Sequence, residues 1–336
     1  MKEQIKGFQI LRGLLICCVV LFHSMTLFIT DYAGHIKYNS TIGQVVRTFI
    51  GTFQMPLFMS LSGFFFYNQI KAWIEGGQYN LARFVKKKFQ RLMIPFIVIM
   101  FLWRKPLLMI ANRKVSDIKG LTDFFMRYFL TTTTGGLWFL YVLFILFVLH
   151  YIALKFLWKS RYRLIIFLIM SLLGSITSYR FHGPVHHILL YNLYFYLGAL
   201  IHQFREVRPK LWRIGNRCGR SAIIYLNIAV SFIYAFNIIN NPLINQVLFT
   251  FVASIYVGTI LPIFELLNFE NKPIEMLGAD SMGIYLLHEP MMICIGSFIP
   301  AIGWRLVMCL FLVGIFGSIG IVHLLRKLEL NYLIGE

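Results

Sequence analysis

Long apolar stretches alternate along the chain with short connectors that hold most of the charged residues. An α-helix needs about 20 mostly apolar residues to cross a bilayer. Ten stretches approach that requirement: 8–30, 45–68, 89–110, 136–155, 163–180, 187–204, 221–239, 245–265, 279–300 and 303–325. The pattern predicts an all-α, polytopic integral membrane protein of about ten transmembrane helices. It reads as a single transmembrane domain over residues 1–336, with no soluble domain, internal repeat or low-complexity tract. The first stretch follows Lys2 and Lys6, as the apolar part of a signal peptide would. No small-x-small cleavage site comes after it, so it is expected to stay as the first helix.

Composition agrees. Of 336 residues, 58% are apolar and 13% charged, against roughly 45–50% and about 25% in soluble domains. A disordered chain, a coiled coil and an ordinary soluble enzyme are excluded. The net charge is +19, but the bases cluster between apolar stretches, which is the positive-inside pattern and not a nucleic-acid footprint. No nucleic-acid partner is expected; the lipid bilayer is. If the N-terminus is cytoplasmic, the inside connectors hold most of the bases, among them Lys71, Arg83, Lys86, Lys87, Lys88, Arg91, Arg205, Arg213, Arg326 and Lys327. Both termini are therefore expected to be cytoplasmic. The outside bases gather in one long connector, 104–135, whose apolar run Leu121–Leu130 suggests a re-entrant or surface helix. The cysteines show no zinc or disulfide spacing.

Ionisable groups inside a membrane segment are expensive and point to function. The first stretch carries Arg12 and His23. Their spacing is within about 20° of three full helical turns, so both fall on one face about 16 Å apart along the axis. The pair suggests the lining of a polar tunnel. The bland alternatives are an arginine snorkelling to the inner interface and a histidine bonded to a neighbouring helix. The ninth stretch carries His288, Glu289 and Pro290. A mid-membrane Glu should face water, a cation or a substrate, and the proline should kink or open the helix. Pro56 should break the second stretch at depth. Arg83, Lys86, Lys87, Lys88 and Arg91 form a basic connector ending at Pro95. It is either a positive-inside anchor or a site for an anionic ligand such as nucleotide phosphates. The spacing of His182, His186 and His187 is not a recognised metal signature, and no metal is expected.

These motifs together resemble the membrane-bound acyltransferase-3 family. Arg12-x10-His23 is similar to that family's Arg-x10-His signature. Met55-Pro-Leu-Phe58 through Ser62-Gly-Phe64 resembles its PLFFFLSGF segment, and Lys88-x-x-Arg91 followed by Pro95 its Arg-x-x-Arg motif. Gly136-Leu-Trp138, Tyr194–Gly198 and Ser281–His288 resemble further family elements, all in family order. Lys88 departs from the pattern, because lysine lacks arginine's bidentate phosphate contact.

The resemblance implies transfer of an acyl group, usually acetyl from acetyl-CoA, to a hydroxyl of a surface polysaccharide or lipid-linked sugar. A multi-pass protein of the cytoplasmic (inner) membrane is implied. Arg91, Lys88, Arg12 and Arg83 would then bind the phosphates of the donor. His23 would act as general base or carry the acyl group covalently, assisted by Arg12 and by His288 or Glu289. The rival reading is a polysaccharide or small-molecule exporter, since broken helices and mid-membrane charges also suit transport.

Overall fold

The computed structural model describes residues 2–29, 40–77, 79–111, 135–157, 162–207, 220–236, 241–266, 270–299 and 303–336. Of these, 90% are helical and none lies in a strand. Helices satisfy every backbone polar group within one segment, which lipid demands. They are α1 (Lys2–Ile29), α2 (Thr41–Gly51), α3 (Gln54–Glu75), α4 (Leu81–Ile110), α5 (Trp138–Leu157), α6 (Arg163–Thr177), α7 (Gly183–Val207), α8 (Arg220–Ala235), α9 (Pro242–Glu265), α10 (Lys272–Ala279), α11 (Ser281–Gly296) and α12 (Trp304–Lys327).

Among the described residues, six segments are long and apolar enough to cross a membrane: Lys6–Thr26, Thr41–Lys71, Leu81–Ile110, Gly135–Leu154, Pro242–Glu265 and Trp304–Lys327. That is fewer than the ten expected. α6 and α8 lie in shorter apolar helices, α7 is interrupted by His186, His187, Asn192 and His202, and α11 has only 16 residues.

Proline accounts for the local departures from the sequence pattern. The stretch 45–68 is two helices parted at Thr52 and Phe53. Pro56 falls in the first turn of α3, where a missing N–H loses no helical bond. α4 runs on to Ile110, so Arg104 and Lys105 are helical instead of starting a connector. It contains two π-turns, Phe89–Met93 and Met100–Arg104. Pro95 and Pro106 follow them directly. The wider turn makes room ahead of a ring that would otherwise meet the carbonyl four residues back. α11 does not end at Pro290 but continues to Gly296. In the turn before that proline, the Trp103 indole N–H donates to the Leu287 carbonyl at 3.1 Å. The expected helix over Leu121–Leu130 lies outside the described residues.

The chain divides into two compact units. The first comprises residues 1–8, 51–85 and 142–270. Its centre is the contact between α3 and α7. A Cβ on Gly63 would overlap the Phe195 carbonyl, and one on Gly198 would overlap the Ser60 carbonyl. Two glycines, one from each helix, thus let the backbones touch. Around them pack the rings of Phe66, Phe84, Phe147, Tyr151 and Phe195, with Phe84 stacked on Tyr151 at 4.2 Å. Buried polar groups pair within the unit. His150 Nε2 lies 2.8 Å from Asn192 Oδ1, and the Asn192 amide donates to Ser171 Oγ at 2.8 Å.

Gly198→Ala is expected to destabilise this unit by about 1–3 kcal/mol, toward the upper end, because the obstacle is backbone and has no rotamer to escape to. The thermal unfolding midpoint in detergent measures it. A midpoint equal to the parent's would show that the helices separate at no cost.

The second unit comprises residues 9–50, 86–141 and 271–336. α11 is its core element, buried from Gly283 through Cys294. α12 carries a π-turn, Val313–Gly317, that sets Gly314 against Val20 and Met292 and Gly317 against Met291. α1 and α10 meet through Gly13 beside Ile274 and Gly278 beside Gln9. Arg326 donates to Asp280 at 2.6 Å and to both carboxylate oxygens of Glu336.

Candidate active site

All four residues expected to be catalytic, His23, Arg12, Glu289 and His288, lie in the second unit. The His23 ring on α1 meets the His288 ring on α11 edge to face, with centroids 5.1 Å apart at 66°. His288 is fully buried. Its Nδ1 lies 2.9 Å from the Ile284 carbonyl. A carbonyl only accepts, so Nδ1 carries the proton. The other nitrogen, Nε2, is buried with no hydrogen-bond partner among the described residues. His23 itself keeps a partly accessible edge.

Glu289 faces a cation. Its Oε2 lies 3.6 Å from Arg104 Nε, and both side chains are buried. The Gly136 N–H donates to the same oxygen at 3.1 Å. Gly136 is held in turn by the Tyr285 hydroxyl, which donates to its carbonyl and accepts from the Phe139 N–H at 3.3 Å. Glycine at 135 and 136 has a steric reason. Gly135 has φ +57°, and a Cβ there would overlap both Arg104 and Glu289. A Cβ on Gly136 would stand 3.3 Å from His23 Cε1 and 3.4 Å from Nε2. The glycine pair thus lets the imidazole, the carboxylate and the guanidinium come close to the backbone.

A second cation borders the site. The Arg47 guanidinium lies over the Phe22 ring, 5.6 Å from its centroid. Its Nε is buried with no hydrogen-bond partner among the described residues. The charges of Glu289, Arg104 and Arg47 all act on His23.

The residues expected to bind the donor divide differently. Arg12 and Lys88 each feel the charge of Arg91, so these three cations share one neighbourhood in the second unit. Like charges held together favour an anionic ligand. Arg83 belongs to the first unit, where it lies exposed just after the Asn80 cap of α4.

Sequence reasoning passed over Arg104, Arg47, Gly135 and Tyr285. Arg104 carried a usable signal, because it ends an apolar stretch and so meets the criterion that selected Glu289. It was assigned to the connector instead. Among the described residues no group of three or more His, Cys, Asp or Glu side chains is placed to hold a metal ion. His186 Nδ1 donates to the Ser178 carbonyl at 2.9 Å, and His187 stacks on Tyr191.

His23 and His288, and Arg12, Lys88 and Arg91 of the cation cluster, lie on the motifs that resemble acyltransferase-3 proteins. No curated protein and no solved structure shows significant similarity to the chain. The acyltransferase-3 profile, described as an acyltransferase domain, matches residues 5–324, nearly the whole chain and across both compact units. It supports a membrane acyltransferase in general. The chain belongs to the acyltransferase-3 family.

Proposed function

We propose that the protein transfers an acyl group, acetyl in the simplest case, from cytoplasmic acyl-CoA to a hydroxyl of a surface polysaccharide or lipid-linked sugar. The observation that carries this reading is the division of labour on α1. Arg12 sits among the cations Lys88 and Arg91. His23, about 16 Å further along the helix axis, sits with His288, Glu289 and Arg104. One end suits the phosphates of CoA, and the other suits proton transfer. The uncharged pantetheine arm spans the interval between them.

In this reading, His23 takes the proton of the acceptor hydroxyl as its oxygen attacks the acyl carbonyl carbon. The carbon–sulfur bond breaks, and the proton passes from His23 to the leaving thiolate, giving the ester and free CoA. Glu289 offsets the charge that His23 acquires, and Arg104 and the Gly136 N–H hold Glu289 in place. An acyl-histidine route, with His23 as nucleophile, balances equally well. It is distinguished by trapping labelled acyl-protein in the absence of acceptor.

CoA binding is expected to weaken as salt rises, since the cation cluster is partly exposed. Dephospho-CoA is expected to bind more weakly than CoA. Calorimetry on the detergent-purified protein measures both. Equal affinity for the two at every ionic strength rules out a phosphate site here. The reading as a whole is tested by the glycan esters of the source cell with and without this protein. An unchanged ester profile refutes it.

A further inference from the structure

The second unit contains an open cleft of about 500 Å3 beside the cation cluster, lined by Lys87, Gln90, Arg91, Tyr332, Gly335 and Glu336. One wall is the first π-turn of α4. The other is a 3-10 turn, Asn331–Ile334, with Gly335 in the left-handed conformation at φ +81°. A Cβ on Gly335 would overlap the Arg91 carbonyl and touch the Pro95 ring at 3.4 Å. Pro95 has no N–H to give that carbonyl, so the π-turn presents a bare backbone surface on which the glycine rests. The second wall is also fixed by charge. Glu336 is gripped by Arg326, which also holds the buried Asp280. Arg326 thus holds the Glu336 side chain, and Lys87 and Arg91 are the basic residues that line the cleft.

We propose that this cleft seats the phosphorylated nucleotide end of the acyl donor. This rests on the acyl-CoA reading above and assigns the seat of its adenosine. Tyr332 is 55% exposed, so an aromatic face is available for a purine to stack on. Gln90 offers an amide, whose donor and acceptor match the amino group and ring nitrogen of adenine. Arg91 and Lys87 take the phosphates, Arg91 with its planar fork and Lys87 as a point charge. The volume falls within the usual range for small-molecule sites, about 300–1,000 Å3. Arg91 belongs both to the cleft and to the cluster with Arg12, so the remainder of the donor leaves the cleft toward α1.

The test is calorimetric titration of the detergent-purified full chain with adenosine 3′,5′-bisphosphate and with CoA. Tyr332 lies at the surface, so replacing it disturbs no core packing. Tyr332→Ala is expected to weaken both ligands about tenfold or more, and Tyr332→Phe, which keeps the ring, to bind as the parent does. Lys87→Ala is expected to weaken both and to flatten their salt dependence. If Tyr332→Ala binds CoA as tightly as the parent, the nucleotide lies elsewhere and the seat is wrong, while the acyl-CoA reading stands. If the parent binds neither ligand, both fall.

Discussion

Membranes containing His23→Ala are expected to bind acyl-CoA and to fail to acylate. Loss of a general base typically lowers rates by about 10²–10⁴-fold. If His23 is instead the acyl carrier, the loss is at least as large. Binding should survive because the donor's charged end is held about 16 Å away along α1, at Arg12, Lys88 and Arg91. The replacement is also mild for packing. His23 has a partly accessible edge, and its ring packs against those of His288 and Phe22. Single-turnover acyl transfer measured beside CoA binding on the same preparation separates the two effects. Full turnover in the variant removes the catalytic assignment. Joint loss of folding and binding makes His23 structural.

Arg104→Ala is expected to have the largest effect on stability. It removes the cation that faces the Glu289 carboxylate in a buried site. Breaking a buried ion pair from one side typically costs about 3–5 kcal/mol. Neutralising both partners is far less costly, so Arg104→Met combined with Glu289→Gln should recover most of the unfolding midpoint. That double variant should nevertheless remain inactive, because nothing is left to offset the charge on His23. Glu289→Gln alone keeps shape and removes charge. If it turns over like the parent, Glu289 is a packing residue and its role beside His23 must be given up. Stability that recovers in the double variant while activity does not is the outcome a purely structural pair would fail to produce.

The site was legible in part, and the boundary is instructive. His23, His288 and Glu289 were visible because a titratable group in an apolar helix has few reasons to be there. Arg12 and His23 could be related to each other because both lie on one helix, where spacing fixes the face. Arg104 met the same criterion, since the stretch 89–110 contains it, but counting it with the connector 104–135 sets it aside. The glycine pair at 135 and 136 stood in plain view before the Leu-Trp motif, but its purpose depends on which helices lie beside it. Arg83 reads as one of a run with Lys88 and Arg91, and the boundary between the compact units falls within that run.

The sequence alone determined the helical class, the approximate position of each apolar segment and the family, because all three depend on local composition, period and ordered motifs. Lipid leaves the backbone almost no choice except helix, so these features need no knowledge of neighbours. Only the tertiary structure decided that Arg104 answers Glu289, that His23 meets His288, and that the turn after α12 closes a cleft with the first π-turn of α4. Those partners lie far apart in the chain. Helical period states which residues share a face, and only packing states which faces meet.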